Sequence, residues 1–191
     1  MKQIRQNVFE TNSSSSHSIS IRKADHYVTH DELLKEFALD IKYKPCRFYD
    51  FELIFGRSPF EVLSSFKEKL RFAFASYSGL NDTDAKMRKE IQSIIDEVLP
   101  ELGEIQFDEK INYCYNEDYT EQFEKERVPF YGQIDHQSMD VLPCFLKRKN
   151  ISMKEFLTNT KYVVFIDGDE YQVKEHLFDI GLFHADDFEE I

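Results

Sequence analysis

The chain has 191 residues, of which 41% are hydrophobic and 15% aromatic, and its formal net charge is −12 at pH 7. This length allows one domain with a sizeable core or two very small domains, and the apolar content predicts that the chain folds on its own. The acidic balance excludes a broad basic face for wrapping nucleic acid, because such binding needs Lys and Arg to neutralise phosphates. An acidic protein can still bind a basic protein surface by complementarity. The alternative is that the charge only keeps the chain soluble.

Three cysteines, Cys46, Cys114 and Cys144, lie far apart without a CxxC spacing. This pattern predicts buried free thiols in a reducing compartment and gives no zinc-binding arrangement. The first ten residues lack the apolar run of a signal peptide, and no segment reaches the roughly 18 apolar residues of a membrane span. We therefore expect a cytoplasmic protein that makes no membrane contact.

Near the N-terminus, six small polar residues occur together over 11–16 and are followed by His17. Serine hydroxyls compete for nearby backbone groups, which favours turns and caps over strand or helix interiors. The apolar-alternating segments on either side, 1–9 and 17–23, are predicted to be short strands. The serines are therefore expected to form a tight polar loop inside a domain.

Local cap signals place several helices. Thr29 and Glu32 form the pattern of a capping box that opens a short helix. The run 48–55 is apolar on both faces and is predicted to be a buried strand. The sequence Ser58-Pro59-Phe60-Glu61 predicts the start of a helix over 59–78, and the spacing of apolar residues predicts a second over 83–99.

In the second half, 104–107 and 111–115 alternate with period two and are predicted to pair with each other. The acidic segment 116–127 is expected to be a solvated loop or short helix; the alternative is that it mimics phosphates toward a basic partner. Ser152 and Glu155 predict another short helix. The apolar run 161–166 predicts a central strand.

After that strand, Asp167 and Gly168 predict a hairpin turn returning through 170–173, and the tail 184–191 is expected to fray. Together the elements predict one α+β domain over residues 1–191. Its mixed or antiparallel sheet packs against an antiparallel helix pair, about 59–99.

Three polar segments are candidates for chemistry and are expected to lie near one another: the serine loop with His17, the segment 135–138 and the turn 167–170. His17 and His136 are predicted as a general base and acid acting on a ribose 2′-hydroxyl and a leaving oxygen. The predicted phosphate-binding side chains are Thr11, Asn12, Ser13, Ser14, Ser15, Ser16, Gln137 and Ser138. In the alternative, Asp167, Asp169, Glu170 and a histidine hold a divalent metal ion that activates water. Structural alternatives stay open: Asp-Gly is often only a turn, and a histidine beside serine often only bonds within its loop.

The sequence Val8 to Ile19 (VFETNSSSSHSI) resembles the N-terminal motif of a mostly uncharacterised family of small proteins from phages and Gram-positive bacteria. Ile134 to Ser138 and Ile166 to Tyr171 resemble two further motifs of that family. The resemblance covers both ends of the chain, whereas the middle, from about 40 to 115, resembles nothing specific.

A phage setting favours counter-defence, and small acidic anti-CRISPR proteins are one such class. Some of these act by loss or truncation of guide RNA, which would suit the two histidines. The resemblance therefore implies an inhibitor that binds a basic Cas nuclease or its guide-RNA complex and blocks it or damages its RNA. Two alternatives stay open: a stand-alone phosphodiester hydrolase or ribonuclease, and an interaction module without catalysis.

Overall fold

The computed structural model describes residues 17–56, 61–115, 122–135 and 139–166, and these residues form an α+β fold. The described strands are β1 (Ser18–Ile21), β2 (Arg47–Phe48), β3 (Ile54–Phe55), β4 (Glu61–Leu63), β5 (Gln106–Phe107), β6 (Glu109–Tyr115), β7 (Gln122–Pro129), β8 (Gln133–Ile134) and β9 (Tyr162–Ile166). The described helices are α1 (His30–Glu36), α2 (Ala38–Lys42), α3 (Phe66–Ser76), α4 (Asp82–Val98), α5 (Val141–Lys149) and α6 (Met153–Thr158).

Strand β9 lies at the centre of a three-stranded antiparallel sheet in the order β1-β9-β4. All five of its residues are buried. Its apolar run therefore predicted a central strand correctly, since a strand covered on both faces needs no polar alternation.

The remaining strands form three separate two-stranded ladders within the described chain. Strands β2 and β5 pair in parallel, as do β3 and β8, whereas β6 and β7 form an antiparallel hairpin. The α+β class is confirmed, but the strands form several small sheets where one was expected.

The start of the first long helix differs from the prediction. The helix α3 begins at Phe66, and Ser65 is its cap: the Ser65 hydroxyl accepts the Glu68 N–H, and the Glu68 carboxylate accepts the Ser65 N–H at 2.9 Å. Residues from Glu61 to Leu63 instead form β4, because pairing with the buried strand β9 outweighs the local cap signal at Glu61. Helix α4 agrees with the prediction, and the short link after α3 folds it back against α3.

The predicted strand 48–55 is interrupted. Residues Asp50–Glu52 form one 3₁₀ turn, closed by a hydrogen bond from Leu53 N to Asp50 O at 3.0 Å. The Glu52 carboxylate caps this turn by accepting the Tyr49 N–H at 3.0 Å. The turn leaves Phe51 72% exposed, so the expected burial of the whole run was wrong.

The predicted pairing of 104–107 with 111–115 is also wrong. Strand β5 pairs with β2, about sixty residues earlier in the chain, and β6 pairs with β7. Part of the acidic segment, from Gln122 onward, is therefore strand rather than loop or helix. Apolar alternation identified strands here but could not identify their partners, which lie at long range.

Other local predictions are confirmed. Thr29 and Glu32 form a capping box at α1, and the Ser152 hydroxyl accepts the Glu155 N–H at the start of α6. Helix α5 was not predicted; its Pro143 is tolerated because it lies in the first turn. Cys46 is buried as expected, whereas Cys144 is exposed; both are free thiols.

Lys69 of α3 is fully buried in the core. Its Nζ donates to the carbonyl oxygens of Phe156 and Asn159, at 2.9 and 2.8 Å, near the C-terminus of α6. The ammonium thus satisfies helix-end carbonyls that have no intrahelical partner. Burial lowers the Lys69 pKa to about 7, since it disfavours the charged form.

No helix among the described residues is long and apolar enough to cross a membrane.

We expect Ser65→Ala to lower the free energy of unfolding by about 1 kcal/mol, because α3 loses its N-cap. The exposed Ser93 on α4 provides the control, and Ser93→Ala should change stability by less than about 0.5 kcal/mol. Urea denaturation measures both. Equal effects of the two substitutions would contradict a cap at Ser65.

We expect the stability advantage of the wild type over Lys69→Met to grow as the pH rises above 7. The ordinary lysine pKa of 10.5 applies in the unfolded chain, so between about 7 and 10.5 the unfolded state binds more protons. The Lys69 contribution is therefore full above that window and is lost as the pH falls toward 7. Within this window, the contribution of Lys69 to the free energy of unfolding changes by at most about 1.4 kcal/mol per pH unit.

Urea denaturation from pH 7 to pH 9.5 measures this slope. The buried, uncharged neighbour Leu70 serves as control, since Leu70→Met should shift stability by an amount independent of pH. A pH-independent difference for Lys69→Met would exclude a titrating buried lysine.

Candidate functional site at the end of the central sheet

The register of the central sheet aligns three residues across its end. Ser18 of β1 is paired with Phe165, and continuing this register by one residue brings His17 level with Ile166. On the other edge Ile166 is paired with Glu61 of β4. Because neighbouring strands lie about 4.8 Å apart, His17 and Glu61 flank Ile166 at the last position of β9.

The carbonyl oxygen of Phe55, the last residue of β3, joins two further segments to this end. It accepts a hydrogen bond from His17 Nε2 at 3.3 Å and another from the Asp135 N–H at 3.0 Å. The second bond follows from the parallel pairing of β3 with β8, in which Phe55 is opposite Ile134. A single oxygen thus holds His17 next to the residue that precedes His136.

Gly132 allows β8 to reach this position. Its φ is +126°, and an added Cβ would lie 2.8 Å from Ala75 Cα on α3 and 2.9 Å from Leu53 O. Only glycine adopts this backbone angle without strain while approaching α3 so closely. Gly132 therefore sets the distance between α3 and the strand that leads to Asp135.

The His17 side chain is only 5% exposed. Because a carbonyl oxygen can only accept a hydrogen bond, Nε2 carries a proton and donates this bond to Phe55. This bond fixes the ring and gives His17 a structural role. Its predicted catalytic role stays a prediction.

The other predicted site residues lie outside the described residues. These are Thr11, Asn12, Ser13, Ser14, Ser15, Ser16, His136, Gln137, Ser138, Asp167, Asp169 and Glu170. The described chain nevertheless fixes the points from which their segments continue: His17, Asp135 and Ile166. These three points are joined by the Phe55 carbonyl and by the register of β9.

Glu61 is a candidate that the sequence did not identify, because it was assigned to the first turn of a helix. Burial, and then the nearby Glu68 carboxylate, raises the pKa of the Glu61 carboxyl. A carboxyl group with a raised pKa at a strand end is a common feature of acid–base sites. Glu61 could not be identified from the sequence because its place in a β-strand depends on pairing with β9.

The metal prediction stays a prediction. Within residues 17–56, 61–115, 122–135 and 139–166, no group of three His, Cys, Asp or Glu side chains is arranged to hold a metal ion. The predicted ligands Asp167, Asp169 and Glu170 are not among those residues.

A second candidate feature is a group of exposed apolar side chains on residues 39–51, which lead into and include the 3₁₀ turn. Four large apolar side chains, here called the aromatic surface, are 48–72% exposed: Leu39, Tyr43, Tyr49 and Phe51. The first three line a shallow cleft of about 200 Å³. The Tyr49 and Phe51 rings are stacked, with centroids 5.7 Å apart and planes 10° from parallel. Adjoining exposed apolar side chains of this size are typical of a binding surface.

Comparisons with known proteins yield no match, either to a family model or to a curated protein or solved structure.

We expect Glu61→Gln to raise the free energy of unfolding at pH 7. The raised pKa means that the folded state binds more protons than the unfolded state above the ordinary value of 4.5, so the Glu61 contribution falls as pH rises. A neutral amide of the same shape removes that cost. Below pH 4.5 the advantage of the Gln variant should disappear.

Thermal and urea denaturation at pH 4 and pH 7 measure the effect. Glu90→Gln, on the exposed face of α4, is the matched control and should change stability by less than about 0.5 kcal/mol. A destabilised Glu61→Gln variant at pH 7 would show that the carboxylate is favourably paired.

Proposed function

We propose that the protein is a phage-derived counter-defence protein of the host cytoplasm. It binds a basic RNA-guided Cas nuclease and damages the guide RNA at the end of the central sheet. The observation that carries this proposal is the shared Phe55 carbonyl, which accepts from both His17 and Asp135. It favours convergence of the serine segment with the segment of His136. The motif resemblance supplies the counter-defence setting.

The net charge limits the form of RNA that such a protein can bind. A chain with a charge of −12 repels free polyphosphate, so its affinity for free nucleic acid is low. A basic nuclease neutralises the phosphates of its guide RNA and attracts an acidic partner. Charge therefore favours RNA held in a basic complex as the substrate.

The chemistry follows from the residue types. One histidine removes the proton of a ribose 2′-hydroxyl, whose oxygen attacks the adjacent phosphorus and forms a 2′,3′-cyclic phosphate. The other histidine protonates the departing 5′-oxygen. In this proposal His17 supplies one imidazole and His136 supplies the second. Serine hydroxyls and backbone amides hold the phosphate.

In the metal-dependent form, Asp167, Asp169 and Glu170 would hold a divalent ion, which would activate water. A stand-alone phosphodiester hydrolase would use either chemistry without a protein partner. These forms differ in their response to chelation and in their need for the nuclease.

A non-catalytic inhibitor is the second candidate, and two observations favour it. The buried His17 ring already has a structural hydrogen bond, and the aromatic surface offers a binding face away from the motif segments in sequence. Such a protein would block the nuclease and leave its RNA intact.

To test catalysis, purified nuclease–guide RNA complexes are incubated with the protein, and RNA length is read on a denaturing gel. We expect shortened RNA with the wild type and a loss of at least about 100-fold in rate for His136→Ala, in line with removal of a general acid or base. The same loss is expected for His17→Gln in a folded variant. Chelation should have no effect on the histidine form and should abolish the metal-dependent form.

His26→Ala and His30→Ala are the matched controls, because both histidines are exposed and bonded to carboxylates of Glu32 and Glu101. They should retain full RNA shortening. Inhibition by the wild type and by His136→Ala with intact RNA would reject catalysis and favour the blocking protein. Shortening of naked RNA at the same rate would favour the stand-alone hydrolase.

A further inference from the structure

The aromatic surface offers a partner more than apolar contact, because it also carries exposed aromatic faces and a carboxylate. The stacked rings of Tyr49 and Phe51 are 48% and 72% exposed, so solvent reaches π-faces that carry partial negative charge. The exposed carboxylate of Asp50 lies between them in sequence, in the same 3₁₀ turn. Asp50 Oδ1 accepts the Phe51 N–H at 2.7 Å, so the acidic group is held at the backbone between the two aromatic residues.

The position of this turn is fixed by Asp108, the residue between β5 and β6. The Asp108 carboxylate accepts the Asp50 N–H at 3.3 Å and pairs with Arg47 at 3.7 Å. The turn is further held because the Glu52 carboxylate, which caps it, pairs with Arg71 of α3. The stacked rings are therefore on a tethered turn rather than a free loop, which lowers the entropy that binding would cost.

A guanidinium group matches this arrangement better than an ammonium group. Its planar cation stacks on an aromatic face while its N–H groups reach a carboxylate, whereas a lysine presents a compact, strongly hydrated charge. The fold already contains such contacts: the guanidinium of Arg88 lies 3.9 Å from the Tyr131 ring centroid, and that of Arg71 lies 5.4 Å from the Phe48 ring centroid.

We propose that Tyr49, Asp50 and Phe51 form a receptor for an arginine side chain on the basic surface of the protein partner. This inference rests on the proposed function for the class of partner and adds the residue type that is recognised. The overall charge of −12 brings the basic surface near, and the stacked rings select arginine over lysine.

The test uses fluorescence anisotropy with two labelled peptides, one of nine arginines and one of nine lysines, at low and moderate salt. We expect the arginine peptide to bind more tightly. Phe51→Ala should weaken arginine-peptide binding by about three- to thirty-fold, the range of a cation–π contact, and should change lysine-peptide binding much less. Asp50→Asn should also weaken it selectively.

Leu80→Ala is the matched control, since Leu80 is also a large apolar side chain, 59% exposed, outside this surface. It should leave both affinities unchanged. Equal affinity for the two peptides, or equal effects of Phe51→Ala and Leu80→Ala, would overturn the arginine receptor. Neither result affects the proposed function, which fails separately if no nuclease complex is bound or inhibited by the wild type.

Discussion

Burial of β9 on both faces is the constraint on which the rest of the structure depends. Tyr162, Val164 and Ile166 belong to the main core, whereas Val163 and Phe165 pack with Val62 in a second, smaller cluster. Both edges of the strand are also paired. A slip of one residue would exchange the two sets of side chains between the two clusters, so the register is strongly fixed. That register is what aligns His17 and Glu61 at the end of the sheet.

The beginning of β9 is held by a polar network. The Glu155 carboxylate accepts hydrogen bonds from Tyr162 Oη and Asn159 Nδ2 and pairs with Lys161 at 3.3 Å. Asn159 Nδ2 also donates to Asp25 at 2.6 Å. Buried polar groups that are well paired hold one conformation. One end of β9 is thus anchored by polar contacts, and the other end leads into the segments that carry the motifs.

The sequence correctly predicted those elements whose formation depends on residues close to one another in the chain. The caps at Thr29 and Ser152, helix α4 and strand β9 follow from hydroxyl–carboxylate spacing and apolar periodicity within short windows. The start of α3 and the pairing of β5 could not be predicted in this way. Both depend on strands far away in sequence, which override equally good local signals.

In the candidate site, too, the sequence identified some of the residues and missed those whose position depends on long-range pairing. Residue type singled out His17, and the described structure shows its hydrogen bond. The Phe55 carbonyl carries no side-chain signal, and Glu61 was misassigned because its strand is short and pairs at long range. Backbone groups that organise a site become visible only when the register is known.

The hairpin of β6 and β7 differs from the rest of the described fold because its two strands contact mainly each other. Most described side chains of β7 are exposed, and a register shift between Asn112 and Tyr113 weakens the ladder further. A two-stranded ladder on its own is only marginally stable in water. Local opening of this arm therefore costs less free energy than unfolding of the core and leaves the contacts of the central sheet in place.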